Sequence, residues 1–293
     1  LEKRDTRKPK AGPEIEESFD AAAGRPRGVL KRTPPAGRFK HLRRSPSSEL
    51  AVWVDHYWLV SWDLRGHEPF VAETLPHPNF QVIFEKDRSV VSGVFTGKFS
   101  RTLEGRSHVF GIKFNPGSFR PFLKAPASSL TNRTVPAKRI FGRGAEAKNL
   151  EALESILVGT VDEGRMIEAA EAFFRARLPA PDATVTLAGT LVRRILEQPG
   201  IKTVDDLVRR TGIGKRTLQR IFGEYVGATA KWVIRRYRLH ELVEKFNSGG
   251  KVDWADLALE LGYFDQAHLI NDFKSIVGYS PVQYRKSANP ERS

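Results

Sequence analysis

A ten-residue pattern recurs in this chain. LQRIFGEYVG at 218–227 and LINDFKSIVG at 269–278 place Leu, Phe and Val–Gly at matching positions, 51 residues apart. Apolar residues three and four apart mark one face of a helix. Each copy follows a shorter helical pattern that stops at a glycine. In TVDDLVRRTGIGKRTLQRIFGEYVG, 203–227, Thr203 can cap the first helix with Asp206 three positions on. Leu207 and Val208 face inward, Thr211–Gly212 ends the helix, and Ile213 fills the corner. A second helix from Lys215 then buries Leu218, Phe222 and Tyr225 or Val226. In VDWADLALELGYFDQAHLINDFKSIVGYSPVQYRK, 252–286, Asp253 caps a helix lined by Leu257, Ala258 and Leu261. Gly262 turns the chain, Tyr263 or Phe264 fills the corner, and Asp265 caps a helix that buries Leu269, Phe273 and Ile276 or Val277. Gly278, Pro281 and Tyr284–Arg285 close the unit. Short helices separated by short Gly turns are what a helix-turn-helix requires.

The pattern therefore predicts two helix-turn-helix units. Residues 228–249 read as one long amphipathic helix between them, with Trp232, Val233 or Ile234, Leu239, Leu242 and Phe246 shared by the two cores. A rigid helix there would set the spacing of the units, near the roughly 34–36 Å of one DNA turn. The expected structural core of this part is Leu218, Phe222, Trp232, Leu261, Leu269, Phe273 and Pro281. Opposite it, Lys215, Arg216, Thr217, Gln219 and Arg220 on one helix, and Gln266, His268, Asn271 and Lys274 on the other, have no use for a core. They carry the donors that phosphates and base edges accept.

Residues 201–286 resemble the DNA-binding domain of the arabinose-operon/xylose-degradation (AraC/XylS-type) family of bacterial transcription factors. The resemblance rests on LGYFDQAHLINDFKSIVGYSPVQYR, with Phe273–Lys274, Gly278, Pro281 and Tyr284–Arg285 in register. It implies that two units enter successive major grooves of double-stranded DNA. It also implies DNA-facing roles for Arg216, Thr217, Gln219 and Arg220, and for Gln266, His268 and Asn271. Two positions depart from the family pattern. Gly214 stands where a Ser cap is usual, and Asn271 where a basic residue is common. Upstream, LPHPNFQVIFE, VFTGKFSRTLEG, VFGIKFNPGSFRPFL and NRTVPAKRIFG resemble an N-terminal sensor-type domain of some members.

The rest of the chain divides by composition. Residues 1–40 are rich in Pro, Gly, Ser and Lys/Arg and read as flexible or peripheral. Residues 41–142 are rich in Val, Phe, Trp and Tyr with Gly, Pro and Asp between, which predicts a mostly antiparallel β domain, a small barrel among its forms. LEGRSHVFGIKF reads as a hairpin turning at Glu104–Gly105–Arg106. Residues 143–198 predict a helical connector of three helices, 199–288 the all-α double helix-turn-helix domain, and 289–293 a tail.

The formal charge of +14 fits a polyanionic partner. Charge is weak evidence alone. With no cysteine, disulfides, thiolate zinc sites and Cys nucleophiles are excluded. His56, His67, His77 and His108 have acidic neighbours but no metal-ligand spacing. Ser100, Ser107 and Ser118 lack a nucleophile elbow. No enzyme, metal or cofactor is expected. A candidate ligand pocket is drawn around Trp58, Phe84 and Arg120. A small-molecule effector, a second copy of the chain and RNA polymerase stand as further partners, and a membrane does not. LEKRDTRKPK has no apolar core of a signal peptide, so the cytoplasm is the expected compartment. Two alternatives stay open: a weakly specific architectural DNA binder, and a β domain that binds or modifies a small molecule with the DNA-binding part as accessory.

Overall fold

The computed structural model describes residues 16–20, 37–144, 146–247 and 254–288. Nine strands come first: β1 (Glu16–Phe19), β2 (Phe39–Arg44), β3 (Val54–Asp63), β4 (Phe70–Thr74), β5 (Gln81–Glu85), β6 (Arg88–Ser92), β7 (Phe99–Leu103), β8 (Arg106–Phe114) and, after helix α1 (Arg120–Leu123), β9 (Thr134–Pro136). Helix α2 (Lys138–Phe141) leads to three longer helices, α3 (Glu146–Gly159), α4 (Glu163–Arg175) and α5 (Ala183–Glu197). The chain then runs through α6 (Val204–Thr211), α7 (Lys215–Ile221), α8 (Ala230–Asn247), α9 (Trp254–Glu260), α10 (Gln266–Val277) and α11 (Pro281–Ala288). The β-rich part, the three-helix connector and the two helix-turn-helix units on a long helix are all present.

The main sheet has the order β1-β2-β3-β8-β5-β6-β9, antiparallel except for the parallel β1–β2 pair. Strands β4 and β7 form a separate two-stranded sheet. Among the described residues the main sheet ends at β1 and β9, so its hydrogen bonds do not close into a barrel. The expected hairpin at Glu104–Gly105–Arg106 is a corner instead. Its two strands, β7 and β8, pair with β4 and with β3 and β5 respectively, and Gly105, at φ +60°, passes the chain between sheets.

Side chains alternate across the sheet, as strand geometry requires. Tyr57, Leu59, Val82, Phe84, Phe110 and Ile112 face α3 and α4 and belong to the largest core. Val60, Trp62, Ile83 and Val109 face the other way and are covered by Phe70, Ala72 and Leu103 of the β4–β7 pair. Trp58 lies on that second face too. Its ring rests on Gly111, where an added Cβ would come within 2.0 Å of the indole. Gly111 is thus set by the approach of a ring and not by backbone conformation.

The stretches that composition separates share one core. It runs from Leu42 through the connector to Leu207, Leu218, Phe222 and Tyr237 of the first helix-turn-helix. The second unit has its own core, built on Leu257, Leu261, Leu269, Phe273 and Val277, and one residue of the β-rich part, Leu75, is inserted in it.

Helix α8 departs most from expectation. An amphipathic helix would keep one polar face in water. Here every residue from Arg236 to His240 is buried. Its three arginines point to three neighbours. Arg235 pairs with Asp272 of α10. Arg236 donates from Nε to the Pro76 carbonyl at 2.6 Å and approaches His77 Nε2 at 3.2 Å. Arg238 donates to the carbonyls of Ile195 at 2.9 Å and Gln198 at 3.2 Å, at the C-terminal end of α5. Trp232, expected in the core of the DNA-binding part, is half-buried and donates its Nε1 proton to the Thr96 carbonyl at 3.0 Å. It joins that part to the β-rich one. Phe246 and Asp253 lie outside the residues whose side chains are described.

Two expectations follow. Gly111→Ala should cost about 1–3 kcal/mol through overpacking against Trp58, seen as an earlier midpoint in urea. An unchanged midpoint would mean the ring moves aside freely. Asp272→Ala leaves Arg235 without its carboxylate and should cost about 1–3 kcal/mol. It should speed proteolysis within 254–288 before the rest of the chain is cut, and uniform cutting would contradict a local role.

Candidate nucleic-acid interface

In the first unit, α6 is closed at its start by a reciprocal cap. Thr203 Oγ1 accepts from the Asp206 amide at 3.1 Å, and Asp206 Oδ2 accepts from the Thr203 amide at 2.7 Å. Gly212 ends α6 at φ +70°, a left-handed position that glycine takes without a Cβ penalty. Helix α7 starts at Gly214 with no side-chain cap. The residue that departs from the family pattern therefore does leave the first amides of α7 without a side-chain acceptor.

Lys215, Arg216, Thr217, Gln219 and Arg220 are all exposed, while Leu218, Ile221 and Phe222 are buried beneath them. Lys215 Nζ lies 2.6 Å from Asp205, and Arg220 Nη1 3.3 Å from Glu224. Both are surface pairs of small net stability, so a phosphate can replace either carboxylate at little cost. After Ile221 the helix widens into a π turn, Phe222–Val226. That turn is pinned by Tyr225, which donates to Asp182 at 3.0 Å, and by the Gly227 carbonyl, which accepts from Thr131 Oγ1 at 2.6 Å.

In the second unit, Asp265 caps α10 by accepting from the His268 amide at 2.7 Å. Gln266, His268, Asn271 and Lys274 are exposed, and Leu269, Phe273, Ile276 and Val277 are buried. The His268 ring stands edge-on to Tyr263, centroids 5.3 Å apart. Leu261 and Pro281 are buried in this unit, and Tyr284 packs on Phe273 at 5.9 Å. The repeat is visible in three dimensions: Gly227 and Gly278, the final residues of the two copies, both sit at left-handed φ, +84° and +80°.

The two copies differ in charge. The register that pairs Leu218 with Leu269 pairs Arg220 with Asn271, Thr217 with His268, Arg216 with Ala267 and Lys215 with Gln266. Helix α7 thus shows three cations where α10 shows none, and Lys274 of α10 matches Gly223. Ile221, an ordinary core residue, is matched by the buried Asp272 that pairs with Arg235. Sequence reasoning passed over that aspartate, because a charge on the buried stripe of a short helix has no signal until its partner is known.

The β-rich part touches the second unit directly. Glu73 accepts from Lys98 at 2.6 Å and from the Tyr279 hydroxyl at 2.9 Å, and the Lys98 ammonium lies 4.2 Å from the Tyr279 ring centre. These contacts fall at the C-terminal end of α10, away from Gln266 and His268 at its start.

Trp58, Phe84 and Arg120 do not converge. Phe84 and Trp58 lie on opposite faces of the sheet, Phe84 inside the main core and Trp58 bonded through Nε1 to Gln81 at 3.0 Å. Arg120 opens α1, half-buried. None of them lines the cleft of about 770 Å³ that lies between the sheet, α5 and α8. Among the described residues no helix is long and apolar enough to cross a membrane.

Residues 42–136 match a domain of unknown function, DUF6597, and residues 207–287 match a helix-turn-helix domain. The chain is 30% identical over 103 residues to the HTH-type transcriptional activator AarP of Providencia stuartii, covering 35% of this chain and 70% of that protein. It is 29% identical over 97 residues to the probable transcription factor PqrA of Proteus vulgaris, covering 33% of this chain and 78% of that one. Among solved structures it is distantly similar to ToxT from Vibrio cholerae O395, with a TM-score of 0.37 and 12% identity over 75% of this chain and 94% of that one. None of these is named as an enzyme. A helix-turn-helix match lying over two exposed reader helices, with a relative this similar, places the chain in the AraC/XylS-type family of bacterial transcriptional regulators, sequence-specific DNA-binding proteins.

Proposed function

We propose that α7 and α10 enter adjacent major grooves of one duplex and that the two readers divide the work. The observation that carries this reading is the exposure of both reader faces while the opposite side of each helix is buried. In α7, Arg216 and Arg220 hold phosphates or guanine edges, with Thr217 and Gln219 beside them and Lys215 on the backbone. In α10, Gln266, His268 and Asn271 face base edges, and Lys274 meets phosphate. Affinity comes mainly from the first reader, whose three cations release counterions. The second, nearly neutral, adds discrimination.

A single chain carries both readers, so binding needs no second copy. Helix α8 holds them in one frame by packing against both units and the sheet. The β-rich part acts as a clamp on that frame, through Pro76 and His77 on α8, Thr96 on Trp232 and Glu73 on Tyr279.

Selection of the full chain on random duplex DNA should enrich two submotifs about 10 base pairs apart, centre to centre. Survival of a single submotif, or no enrichment, would overturn the two-reader reading. Arg216→Ala and Arg220→Ala should each lower affinity by about 1–3 kcal/mol where they meet a base, and should flatten the salt dependence by about one unit of slope where they meet phosphate. Asn271→Ala should relax base preference in one submotif and leave the salt slope unchanged. Equal salt effects from both helices would contradict the division of labour.

A further inference from the structure

The cleft between the sheet, α5 and α8 has an unusual wall. Strand β8 places Val109, Gly111 and Lys113 on one face, and the first two meet apolar neighbours there. Lys113 continues the same alternation and is 9% exposed. Register puts it opposite His56 on β3, and His56 is 2% exposed. The face that is apolar under the β4–β7 pair is thus cationic where it reaches the cleft. Arg43 of β2 lines the same cleft.

Arg236 comes down from the other side. It is fully buried in the middle of α8 and lines the cleft. Its Nε and Nη2 have partners in the Pro76–His77 turn, while Nη1 has none. His56 Nε2 is also buried without a partner. Arg193, on the exposed side of α5, stands at the rim. Against these cations the cleft lining holds one carboxylate, Asp55, shared between His56 Nδ1 at 3.2 Å and Lys113 Nζ at 3.3 Å.

Desolvating a guanidinium and an ammonium without matching anions is expensive. The titration directions record the strain. Burial pulls Arg236 down to about 10 and lowers Lys113 in spite of Asp55. His56 is lowered by burial, against the pull of Asp55. A core that only needed filling would use apolar side chains here. A volume of about 770 Å³ is in the range of small-molecule sites.

We propose that this cleft binds a compact small-molecule polyanion, with carboxylate or phosphate groups received by Arg236 Nη1, Lys113 and His56 inside and by Arg193 at the rim. The ligand completes a charge set that the protein leaves open, and it touches the sheet, α5 and α8 at once. The site deepens the reading of the chain as a regulator, but its occupancy is measurable without DNA.

Calorimetry on the full chain tests it, with citrate as the carboxylate probe, pyrophosphate as the phosphate probe and sodium chloride at matched ionic strength as control. At least one probe should bind saturably, and which one does so identifies the oxyanion. Arg236→Met should weaken that binding about tenfold or more, the loss expected for a buried charge-assisted hydrogen bond. Arg193→Ala, at an exposed position that leaves the core untouched, should weaken it about threefold. Failure of both probes to exceed the chloride control overturns the proposal, as does binding that both variants leave unchanged. DNA binding retained in that case would leave the two-reader function standing.

Discussion

Both reader helices take their positions from one helix whose central residues, Arg236 to His240, are buried. Helix α8 lies between the sheet, the connector and the two helix-turn-helix units, and the residues at its centre are buried on every side. A helix so placed normally has an apolar circumference. This one has Arg235, Arg236 and Arg238, and helical geometry sends successive side chains about 100° apart. Each therefore reaches a different neighbour: Asp272 on the second reader, the Pro76–His77 turn, and the carbonyls at the C-terminal end of α5. Two buried guanidinium groups and a half-buried one give directional bonds where apolar contacts would allow sliding. The orientation of α10 relative to the sheet is held by charge as well as by shape.

That arrangement accounts for the unequal integration of the two units. The first shares its core with the β-rich part and the connector, and its π turn is bonded to Asp182 and Thr131. The second has a separate core, entered among the described residues by Leu239, Leu242 and Val243 of α8 and by Leu75 of the β-rich part, and bounded by the Glu73–Lys98–Tyr279 cluster. Polar contacts of this kind exchange with water more readily than a buried apolar face. The second unit is thus the one whose placement can change without unmaking the main core, and it is also the less charged reader.

The sequence made the helix-turn-helix units legible because their signals are local. The Thr203–Asp206 cap, the Asp265 cap and the left-handed glycines at 212, 262 and 278 need only near neighbours. The reader faces followed from helical period alone, and the residues assigned to them are exposed. Alternation identified the strands but not their partners. LEGRSHVFGIKF reads as a hairpin because its two halves are strands around a glycine, and only the β4–β7 pairing shows that it is a corner. Helix α8 was misread for a similar reason. A stripe of Val, Leu and Phe beside Arg and His looks amphipathic until the carbonyls and the carboxylate that receive the arginines are brought near by residues 37 to 160 positions away. The candidate pocket failed on parity: Trp58 and Phe84 lie on opposite sides of one sheet.

The position of the cleft gives its charge a consequence. A ligand changes an equilibrium only by binding one state better than another. In the state described here, Lys113 and His56 on the sheet and Arg236 on α8 converge on one volume. An anion that pairs with both sides favours this state over any in which α8 has moved away. Without it Lys113 and Arg236 repel across the cleft, and that repulsion is felt at the Pro76–His77 turn, next to the Leu75 that is inserted in the core of the second unit. A short physical connection between an occupied cleft and the second reader therefore runs through three consecutive residues, Leu75, Pro76 and His77.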